Sequence, residues 1–426
     1  MDWSFLIEGK TALCVSTDTR NLPEGCIFVA LKGETFDGNT FALQALQQGA
    51  SMAIVDNEQV YNAIMNAGEY SALLVENSLL ALQDLAREWR RYLATPVIGI
   101  TGTNGKTTTK ELLAAVLSTK FRTHYTQGNL NNSIGVPLTL LQLTREHELA
   151  IVEMGASHPG DIKELVEVAE PNYGLITNVG KAHLQGFGSF EGVMATKAEL
   201  YDYLLAHNGT IFRNADNPHL EHMHLSAQRS LSGSGLLSLS EAVYYHSGTM
   251  PDGTNLVGAY NSENIQAALC VGEYFGISRE AGLAAVRAYV PSNNRSQKTV
   301  TDRNTLIVDA YNANPTSMTA AIEAFDRFTT PSLREGRGVS YILGAMRELG
   351  DYTHLEHQNI VNMLLERKAD QVLLVGDEYR DTTAPYPIFS TVDELCEQLK
   401  QHPITGATIL IKGSRSNKLE KVLPLL

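Results

Sequence analysis

Short apolar runs alternate with longer amphipathic stretches through the first 93 residues. CIFVAL, MAIVD and ALLVE have the length of buried strands, whereas FALQALQQGA and ALQDLAREWRRYL have the spacing of helices that pack on one face. Thr95 and Pro96 interrupt this pattern, and a second series begins with strands near 97–101, 149–154 and 174–178. The alternation predicts two consecutive α/β domains, over residues 1–93 and 94–292.

The pattern fades between residues 220 and 256, where a segment rich in Ser and Gly predicts no element beyond a degenerate strand pair at a reduced sheet edge. The helical run SENIQAALCVGEYF follows, and PSNNRSQ has the composition of a linker, which sets a boundary near residue 292. From 293 to 426, four apolar runs predict the strands of a Rossmann-like open parallel sheet: TLIVDAYNANP, VSYILGA, QVLLVG and ATILIKGS. Ligands of such sheets bind at the carboxyl ends of the strands.

Composition limits the kinds of partner. The chain has 426 residues and a formal charge of −14, which argues against nucleic acid or another polyanion held by bulk charge. The amino terminus has no basic segment before a long apolar run, and no window approaches the ~18 apolar residues of a membrane span. Four scattered cysteines lack the spacing of a zinc site or a disulfide framework. These features predict a cytoplasmic protein with no membrane span.

A phosphate-binding turn stands at the start of the second domain. In VIGITGTNGKTTTK, residues 97–110, an apolar strand breaks into a glycine-containing turn that opens onto a helix pattern, with Ile100 where the commoner motif has glycine. Backbone N–H groups of such a turn face phosphates, Lys106 adds positive charge, and the Thr107 hydroxyl has the position of a Mg²⁺ ligand. The motif predicts ATP or GTP binding by Gly102, Thr103, Asn104, Gly105, Lys106, Thr107 and Thr108.

Three further residues are candidates for metal chemistry. Glu153 ends the apolar strand LAIVEMGA, so its carboxylate is expected beside the phosphate turn as a Mg²⁺ ligand; a glutamate paired with a lysine is the alternative. His183 and Lys197 lie in LITNVGKAHLQGFGSFEGVMATKAEL. Taken alone, they fit a core histidine and a solvated helix lysine. Only their combination with the preceding motifs indicates a functional role for these two residues.

TGTNGKTT, the EMG strand end, TNVGKAHLQGFGS and the helix bearing Lys197 together resemble the ATP-dependent Mur ligases, over nearly the whole chain. The resemblance implies that Lys197 carries a carbamate, which would turn a cation into an anionic ligand for a second Mg²⁺. It implies that His183 and Glu153 complete that site, and that two Mg²⁺ ions and Lys106 neutralise the γ-phosphate of ATP. The three domains would bind a uridine nucleotide, bind ATP and complete the ligase, in that order.

The resemblance also assigns ATP contacts. GAYNSENIQAAL matches a family segment in which Asn264 meets adenine, although Tyr260 replaces the usual histidine. Arg295 matches a linker arginine near the γ-phosphate, and Asp309 matches a ribose ligand. A helix cap is the alternative for Asn264, and an exposed linker charge is the alternative for Arg295.

Polar loops supply candidate ligands for the other substrates. They are Thr19 and Arg20 for the uracil or diphosphate, Asn129, Asn131 and Asn132 for the muramyl side, and Lys412, Ser414 and Arg415 for a dipeptide carboxylate. An ordinary asparagine-rich turn and a solvated basic loop are the alternatives for the last two groups.

TQGNLNNSIGVPLTLL, VDAYNANPTSM and LGAMRELG resemble most specifically the family type that joins D-Ala-D-Ala to UDP-N-acetylmuramoyl-tripeptide in peptidoglycan precursor synthesis. The implied reaction passes through an acyl phosphate, and the protein is expected to act as a monomer with no covalent nucleophile of its own. Another Mur ligase type, or an enzyme similar to folylpolyglutamate synthase, is the main alternative. A nucleotide-dependent switch without catalysis is the other.

Overall fold

The computed structural model describes residues 1–233, 240–258, 260–291, 295–329, 338–367 and 369–426. Three α/β sheets follow one another along the chain, which confirms the predicted fold class. The predicted boundary between residues 292 and 293 lies outside the described residues, and both domain boundaries remain predictions. Among the described helices, none combines the length and the apolar character that crossing a membrane requires.

The N-terminal domain is a four-stranded parallel sheet in the order β1-β2-β3-β4. Its strands are β1 (Val15–Ser16), β2 (Ile27–Val29), β3 (Met52–Val55) and β4 (Ala72–Leu74). Its helices are α1 (Ser4–Ile7), α2 (Ala42–Gln47), α3 (Glu58–Ala67) and α4 (Ser78–Leu93), with a 3₁₀ turn at Gly38–Phe41. Successive strand residues point to opposite faces, so Ile27 and Val29 pack in one core and Phe28 in another.

Helix α4 joins the first two domains through a shared apolar core. Leu85 and Trp89 of this helix are fully buried with Val97 and Leu140 of the central domain. The Trp89 indole N–H donates to the carbonyl oxygen of Leu143 at 3.0 Å, which satisfies its polar atom inside that core. The N-terminal domain is therefore anchored to the central domain by apolar packing and a buried hydrogen bond.

The central domain is a six-stranded, fully parallel sheet in the order β10-β9-β8-β5-β7-β6. Its strands are β5 (Val97–Thr101), β6 (Thr123–Tyr125), β7 (Leu149–Glu153), β8 (Tyr173–Ile176), β9 (Thr210–Asn214) and β10 (Ala242–Tyr245). Its helices are α5 (Lys106–Leu117), α6 (Gly135–Leu141), α7 (Asp161–Ala169), α8 (Leu184–Phe187), α9 (Phe190–Ala206), α10 (Pro218–Gly233), α11 (Asn261–Tyr274) and α12 (Arg279–Ala288). The carboxyl ends of β5, β7 and β8 meet at one edge of the sheet.

The prediction of no element beyond a degenerate strand pair after residue 220 is wrong for the described part of that segment. Helix α10 buries Leu220, Met223, His224 and Ala227, which have the i, i+3, i+4, i+7 spacing of one helix face. Strand β10 then pairs along its four residues with β9 and forms the edge of the sheet. The many serines obscured this periodicity, and residues 234–239 lie outside the description.

The C-terminal domain is a six-stranded sheet in the order β11-β12-β16-β13-β14-β15. Its strands are β11 (Gln297–Val300), β12 (Thr305–Asp309), β13 (Gly338–Gly344), β14 (Gln371–Val375), β15 (Ile388–Phe389) and β16 (Ala407–Lys412). Its helices are α13 (Pro315–Phe328), α14 (Thr353–Leu365) and α15 (Val392–Gln401), with 3₁₀ turns at Gly350–Tyr352, Asp377–Tyr379, Arg415–Asn417 and Leu419–Leu425.

This sheet is mixed, which corrects the expectation of an all-parallel sheet. The four predicted strands are present and parallel, whereas β11 is antiparallel to β12. A tight turn joins the two, in which the Thr301 N–H donates to the carbonyl oxygen of Asn304 at 2.9 Å. Such short connections suit antiparallel neighbours. The polar alternation of QKTV at this edge gave no apolar run to recognise.

Candidate active site

Strand ends of the central and C-terminal sheets face one cleft of about 760 Å³. The predicted residues that line it are Thr103, Asn104, Gly105, Lys106, Thr107, Thr108, Asn129, Asn131, Asn132, Glu153, His183, Asn264, Arg295, Asp309 and Lys412. The predicted residues outside its lining are Thr19, Arg20, Gly102, Lys197, Ser414 and Arg415. The structure thus brings all the predicted ATP-binding residues except Gly102 together in the cleft lining and leaves the predicted uridine-binding pair elsewhere.

Asn264 and Asn178 pack against the phosphate turn and fix its conformation. Gly105 has a φ of 79°, and a Cβ there would lie 2.5 Å from Oδ1 of Asn264, so the position requires glycine. The backbone N–H groups of Thr103 and Asn104 donate to the carbonyl oxygen and Oδ1 of Asn178 at 2.9 and 3.0 Å. The Lys106 ammonium donates to the carbonyl oxygen of Gly102 at 2.6 Å, where it would be available to a bound phosphate.

Glu153 ends β7 directly beside this turn and is almost fully buried. Its carboxylate accepts hydrogen bonds from the Thr107 hydroxyl at 3.0 and 3.2 Å and from the Asn131 amide at 2.9 Å. The ammonium of Lys110 lies 3.8 Å from Oε2. The lysine pairing considered as an alternative is therefore present, but it coexists with a position beside the phosphate turn.

Thr107 and Glu153 supply hydroxyl and carboxylate oxygens, the ligand types that Mg²⁺ prefers. Among the described residues, no three His, Cys, Asp or Glu side chains form a group that could hold a metal ion alone. Mg²⁺ in nucleotide sites takes few protein ligands and completes its shell with phosphate oxygens and water. The donors at this turn therefore fit a Mg²⁺ ion bound together with a nucleotide.

Lys197 is buried in α9, so the alternative of a solvated helix lysine is wrong. Its ammonium lies 5.7 Å from the ring centroid of Phe187, and it makes no recorded hydrogen bond or ion pair within the described part of the chain. Burial, reinforced by the charge of Lys106, lowers the pKa of Lys197 to about 7. Burial likewise lowers the pKa of Lys106 to about 8, although Glu153 opposes this shift. The shift favours the uncharged amine form of Lys197.

His183 lies at the cleft but contacts the other domain. It precedes α8 with a φ of 49°, and its Nδ1 meets the carboxylate of Glu348, which also has a positive φ of 62°. Burial lowers the pKa of His183, and Glu348 opposes that effect. No hydrogen bond or ion pair recorded between described residues joins His183 or Lys197 to Glu153, so their shared metal site remains a prediction.

Arg295 forms part of the opposite wall of the cleft. Its guanidinium carbon lies 3.8 Å from the ring centroid of Tyr311, and its buried Nε has no hydrogen-bond partner among the described residues. Arg415 is exposed and lies over the same ring, at 5.1 Å from the centroid. The linker arginine therefore reaches the cleft, as its assignment near the γ-phosphate requires.

Asp309 and Lys412 end adjacent parallel strands and bind each other. The Lys412 ammonium donates to Oδ2 of Asp309 at 2.6 Å and to the carbonyl oxygen of Asn312 at 3.0 Å. The sequence assigned these two residues to different substrates, ribose and dipeptide. Ser414 is buried away from the cleft, with its hydroxyl 3.5 Å from the carbonyl oxygen of Ala313.

Asn264 lies within α11 rather than at its cap. Its Oδ1 accepts from the Thr109 hydroxyl at 3.0 Å, and its amide donates to Oδ1 of Asn261 at 2.9 Å. Helix α11 begins at Asn261, so the capping alternative for Asn264 is wrong. Tyr260, in place of the family histidine, hydrogen-bonds its hydroxyl to Ser296 at 2.5 Å. The adenine contact remains a prediction, at a residue that lines the cleft.

The candidate substrate asparagines differ in their surroundings. Asn131 binds Glu153 and thereby belongs to the phosphate side of the cleft, whereas the side-chain Oδ1 of Asn132 accepts the N–H of Gly135 at 2.8 Å at the start of α6. Asn129 is exposed at the cleft. Arg20 lies outside the cleft lining and forms an exposed ion pair with Asp18. The hydrogen bond from the Arg20 side chain lowers the pKa of Asp18 to about 2.

Sequence reasoning missed several residues in and beside the cleft, and Asn314, beside it, is the most informative. Its amide donates to Oδ1 of Asn104 in the phosphate turn at 2.8 Å, across the domain interface. Asn314 also caps α13 through a reciprocal pairing with Ser317, ahead of Pro315 at the first helical position. The signal was available, because Asn before Pro in YNANP is typical of a helix start. The missed residues that line the cleft itself include Asn178, Asn261, Tyr311 and Asn312.

Comparison with known proteins gives this cleft a family. Models of the Mur ligase middle domain, the Mur ligase glutamate ligase domain and the Mur ligase family catalytic domain match residues 100–272, 294–415 and 13–90. The UDP-N-acetylmuramoyl-tripeptide–D-alanyl-D-alanine ligase of Bacillus subtilis is 36% identical to the chain, covering 96% of it and 92% of its own length. The chain belongs to the Mur ligase family.

Solved structures agree with this membership. The MurF ligase of Thermotoga maritima in complex with ADP resembles this Mur ligase with a TM-score of 0.82 and 26% identity, over 97% of each chain. MurF from Acinetobacter baumannii gives a TM-score of 0.80 and 29% identity, over 96% of this chain and 92% of its own. The likeness extends over all three domains of the chain.

Proposed function

We propose that this Mur ligase joins D-Ala-D-Ala to UDP-N-acetylmuramoyl-tripeptide, with cleavage of ATP to ADP and phosphate, in peptidoglycan precursor synthesis. The observation that carries the proposal is the hydrogen bond at 2.8 Å between Asn314 and Asn104. It sets the YNANP segment, the most type-specific motif of the chain, directly against the phosphate turn. The relative from Bacillus subtilis, which is named for this ligation, supports the same reaction.

The reaction has two steps. The terminal carboxylate of the tripeptide attacks the γ-phosphorus of ATP, which forms an acyl phosphate and releases ADP. The amine of D-Ala-D-Ala then attacks the acyl carbon, the new C–N bond forms, and phosphate leaves together with loss of one amine proton. Activation is required because a carboxylate is a poor electrophile, and the protein contributes positioning and charge stabilisation.

The cleft residues have separate roles in this reaction. The Lys106 ammonium would bind the outer phosphates in place of the backbone carbonyl oxygens that it contacts here. Arg295 would add positive charge from the opposite wall of the cleft. Thr107 and Glu153 would hold Mg²⁺, which supplies charge neutralisation at the phosphate oxygens when bound. Asn264 and Asp309 face the nucleoside part, as adenine and ribose contacts.

Lys197 is the proposed site of a carbamate. Its neutral amine would attack CO₂ to form a carbamate with release of one proton, and the depressed pKa supports this at neutral pH. The anionic product would remove an uncompensated buried cation and offer oxygen ligands to a second Mg²⁺. In Lys197→Ala we expect a large loss of activity that acetate or another short-chain acid partly restores. Full activity of the unsupplemented variant would contradict the proposal.

The remaining assignments follow from the same reaction. The UDP group would lie on the N-terminal domain near Thr19 and Arg20, and the muramyl peptide would reach the cleft past Asn129. The dipeptide carboxylate would approach the loop that contains Ser414 and Arg415. We place the reaction in the cytoplasm, where the precursor nucleotide and ATP are both available, with one chain as the active unit.

Phosphate release from ATP tests the proposed reaction. We expect release with UDP-N-acetylmuramoyl-tripeptide and D-Ala-D-Ala together to exceed release with either alone, and the ligated product to appear in equal amount. Lys106→Met should lower this rate by about 10²–10³-fold, because it removes one charge donor at the phosphates. Lys120→Met, at an exposed lysine bound to the carbonyl oxygen of Phe275, is the matched control. Stimulation by glutamate in place of the dipeptide would favour a folylpolyglutamate synthase-like reaction.

A further inference from the structure

The segment 178–185 lies between the phosphate turn and the C-terminal domain and contacts both. On one side, the Gly180 N–H donates to the Thr103 hydroxyl at 3.0 Å. On the other side, the Lys181 N–H donates to the Thr316 hydroxyl at 3.0 Å, and the Lys181 ammonium donates to Oε1 of Glu356 at 2.8 Å. A single short segment therefore connects the phosphate turn, through Thr103, to two helices of the other domain.

Glu356 is an unusual carboxylate for this surface. It lies in the first turn of α14 with 4% of its surface exposed, and its second oxygen accepts from the Asn359 amide at 3.3 Å. Within the described part of the chain, Lys181 is the cation that pairs with it. A buried carboxylate requires compensation, and here the compensating charge belongs to the neighbouring domain.

Neither Lys181 nor Glu356 lines the cleft, so neither is placed to touch ATP or the peptide substrates. We propose that Lys181 and Glu356 are positioning residues, whose ion pair holds the C-terminal domain in register over the phosphate turn. In this register Asn314 reaches Asn104, and Arg295 faces the same cleft. The inference deepens the proposed function, and it rests on that function only where ligase activity is measured.

The two partners are not equivalent. Glu356 is buried, whereas half of the Lys181 side chain remains exposed. Removing Lys181 leaves an uncompensated carboxylate that is solvated best when the domains separate, so the variant should favour a separated arrangement. Removing the charge of Glu356 leaves a lysine that water already reaches. Lys181→Met should therefore have a larger effect than Glu356→Gln.

Three variants test this in the full-length protein: Lys181→Met, Glu356→Gln and the exchange Lys181→Glu with Glu356→Lys. The first measurement is the affinity for a non-hydrolysable ATP analogue with Mg²⁺, by calorimetry. The second is the radius of gyration of the analogue-bound protein, by small-angle X-ray scattering. Both are independent of the identity of the amino-acid substrate. Lys400→Met, which removes the cation of an exposed pair with Glu397, is the matched control.

We expect Lys181→Met to weaken analogue binding about tenfold, in the usual range of coupling between sites, and to enlarge the bound protein. Where ligase activity is measurable, KM for ATP should rise more than kcat falls. Glu356→Gln should weaken binding less, and the charge exchange should recover most of the affinity and the smaller radius. Thermal unfolding confirms that each variant is folded.

Wild-type affinity and radius in folded Lys181→Met would overturn the inference, even if ligase activity follows the proposed function. An exchange variant as impaired as Lys181→Met would also overturn it, because the effect would then come from Lys181 alone. Loss of activity with normal analogue binding in all variants would likewise assign these residues to another role. Failure of the dipeptide reaction in the wild type would count against the proposed function and leave the binding and scattering results interpretable.

Discussion

Lys197 and Lys412 are both almost completely buried near the cleft, yet their surroundings are opposite. Lys412 meets Asp309 at 2.6 Å and the carbonyl oxygen of Asn312 at 3.0 Å, so its charge is compensated within the C-terminal domain. Lys197 has no such partner among the described residues, and burial lowers its pKa to about 7. Lys412 therefore forms a charge-compensated structural contact, whereas the amine of Lys197 is available to bind a ligand or to react.

The same difference separates the two walls of the cleft. On the central side, the Lys106 ammonium donates only to backbone carbonyl oxygens, and its charge helps to lower the pKa of the buried Lys197. On the C-terminal side, Asp309 neutralises Lys412, and Arg295 rests on an aromatic ring. The central side therefore carries two lysines, Lys106 and Lys197, with no carboxylate hydrogen-bond partner among the described residues, in a chain whose overall formal charge is −14.

Breaking the buried ion pair between Lys412 and Asp309 should have the largest effect on stability. We expect Lys412→Met to lower the free energy of unfolding by about 3 kcal/mol, because it leaves the largely buried carboxylate of Asp309 without its cation. Urea unfolding at pH 7 measures this. The double change Asp309→Asn with Lys412→Met should recover most of the loss. A single variant as stable as the wild type would mean that the pair contributes no net compensation.

Removing Lys197 should act in the opposite direction. In buffer free of CO₂ and bicarbonate, we expect Lys197→Met to raise the free energy of unfolding by about 2 kcal/mol near pH 7, because methionine removes a buried amine without leaving a partner unpaired. Folded Lys197 releases its proton near pH 7, whereas the unfolded chain holds it up to the ordinary value of 10.5. Between these values the unfolded state binds more protons, so wild-type stability from this group rises with pH.

The gain in Lys197→Met should consequently be greatest at or below pH 7 and become smaller as the pH rises toward 10. Chemical unfolding at pH 6.5, 7.5 and 8.5 gives this trend directly. Lys400→Met, at an exposed helix lysine, should show no comparable pH dependence. Destabilisation by Lys197→Met at every pH would show that the amine is compensated in solution and that the contrast with Lys412 is wrong.

The sequence carried more information about the central wall than about the C-terminal one. Gly105 directly precedes α5, and Lys106 and Thr107 are its first two residues, so local spacing after strand β5 predicts their position at the phosphate turn. Asp309 and Lys412 are 103 residues apart, and their pairing depends on β12 and β16 being neighbours in the sheet. No local pattern encodes that neighbour relation, so the sequence assigned the two residues separately.

The same reasoning explains which other features of the fold could be predicted from the sequence and which could not. The apolar strands were recognised because parallel strands buried on both faces form continuous apolar runs, as TLIVD does in β12. The edge strand β11, QKTV, is half exposed and has no such run. Cross-domain contacts such as Asn314 with Asn104 depend on how two domains meet, which neither segment specifies alone.

The exposed ion pair between Arg20 and Asp18 should contribute less to stability than the buried pair between Lys412 and Asp309. Both residues lie near one another in the chain and remain in contact with water, unlike Lys412 and Asp309. We expect Arg20→Ala to leave the unfolding midpoint unchanged, because exposed ion pairs contribute little. The pKa of Asp18, now lowered to about 2 mainly by hydrogen bonding to Arg20, should rise toward its ordinary value of 3.8 in an NMR titration. A clear fall in the midpoint would show that solvent exposure does not separate this pair from the buried one.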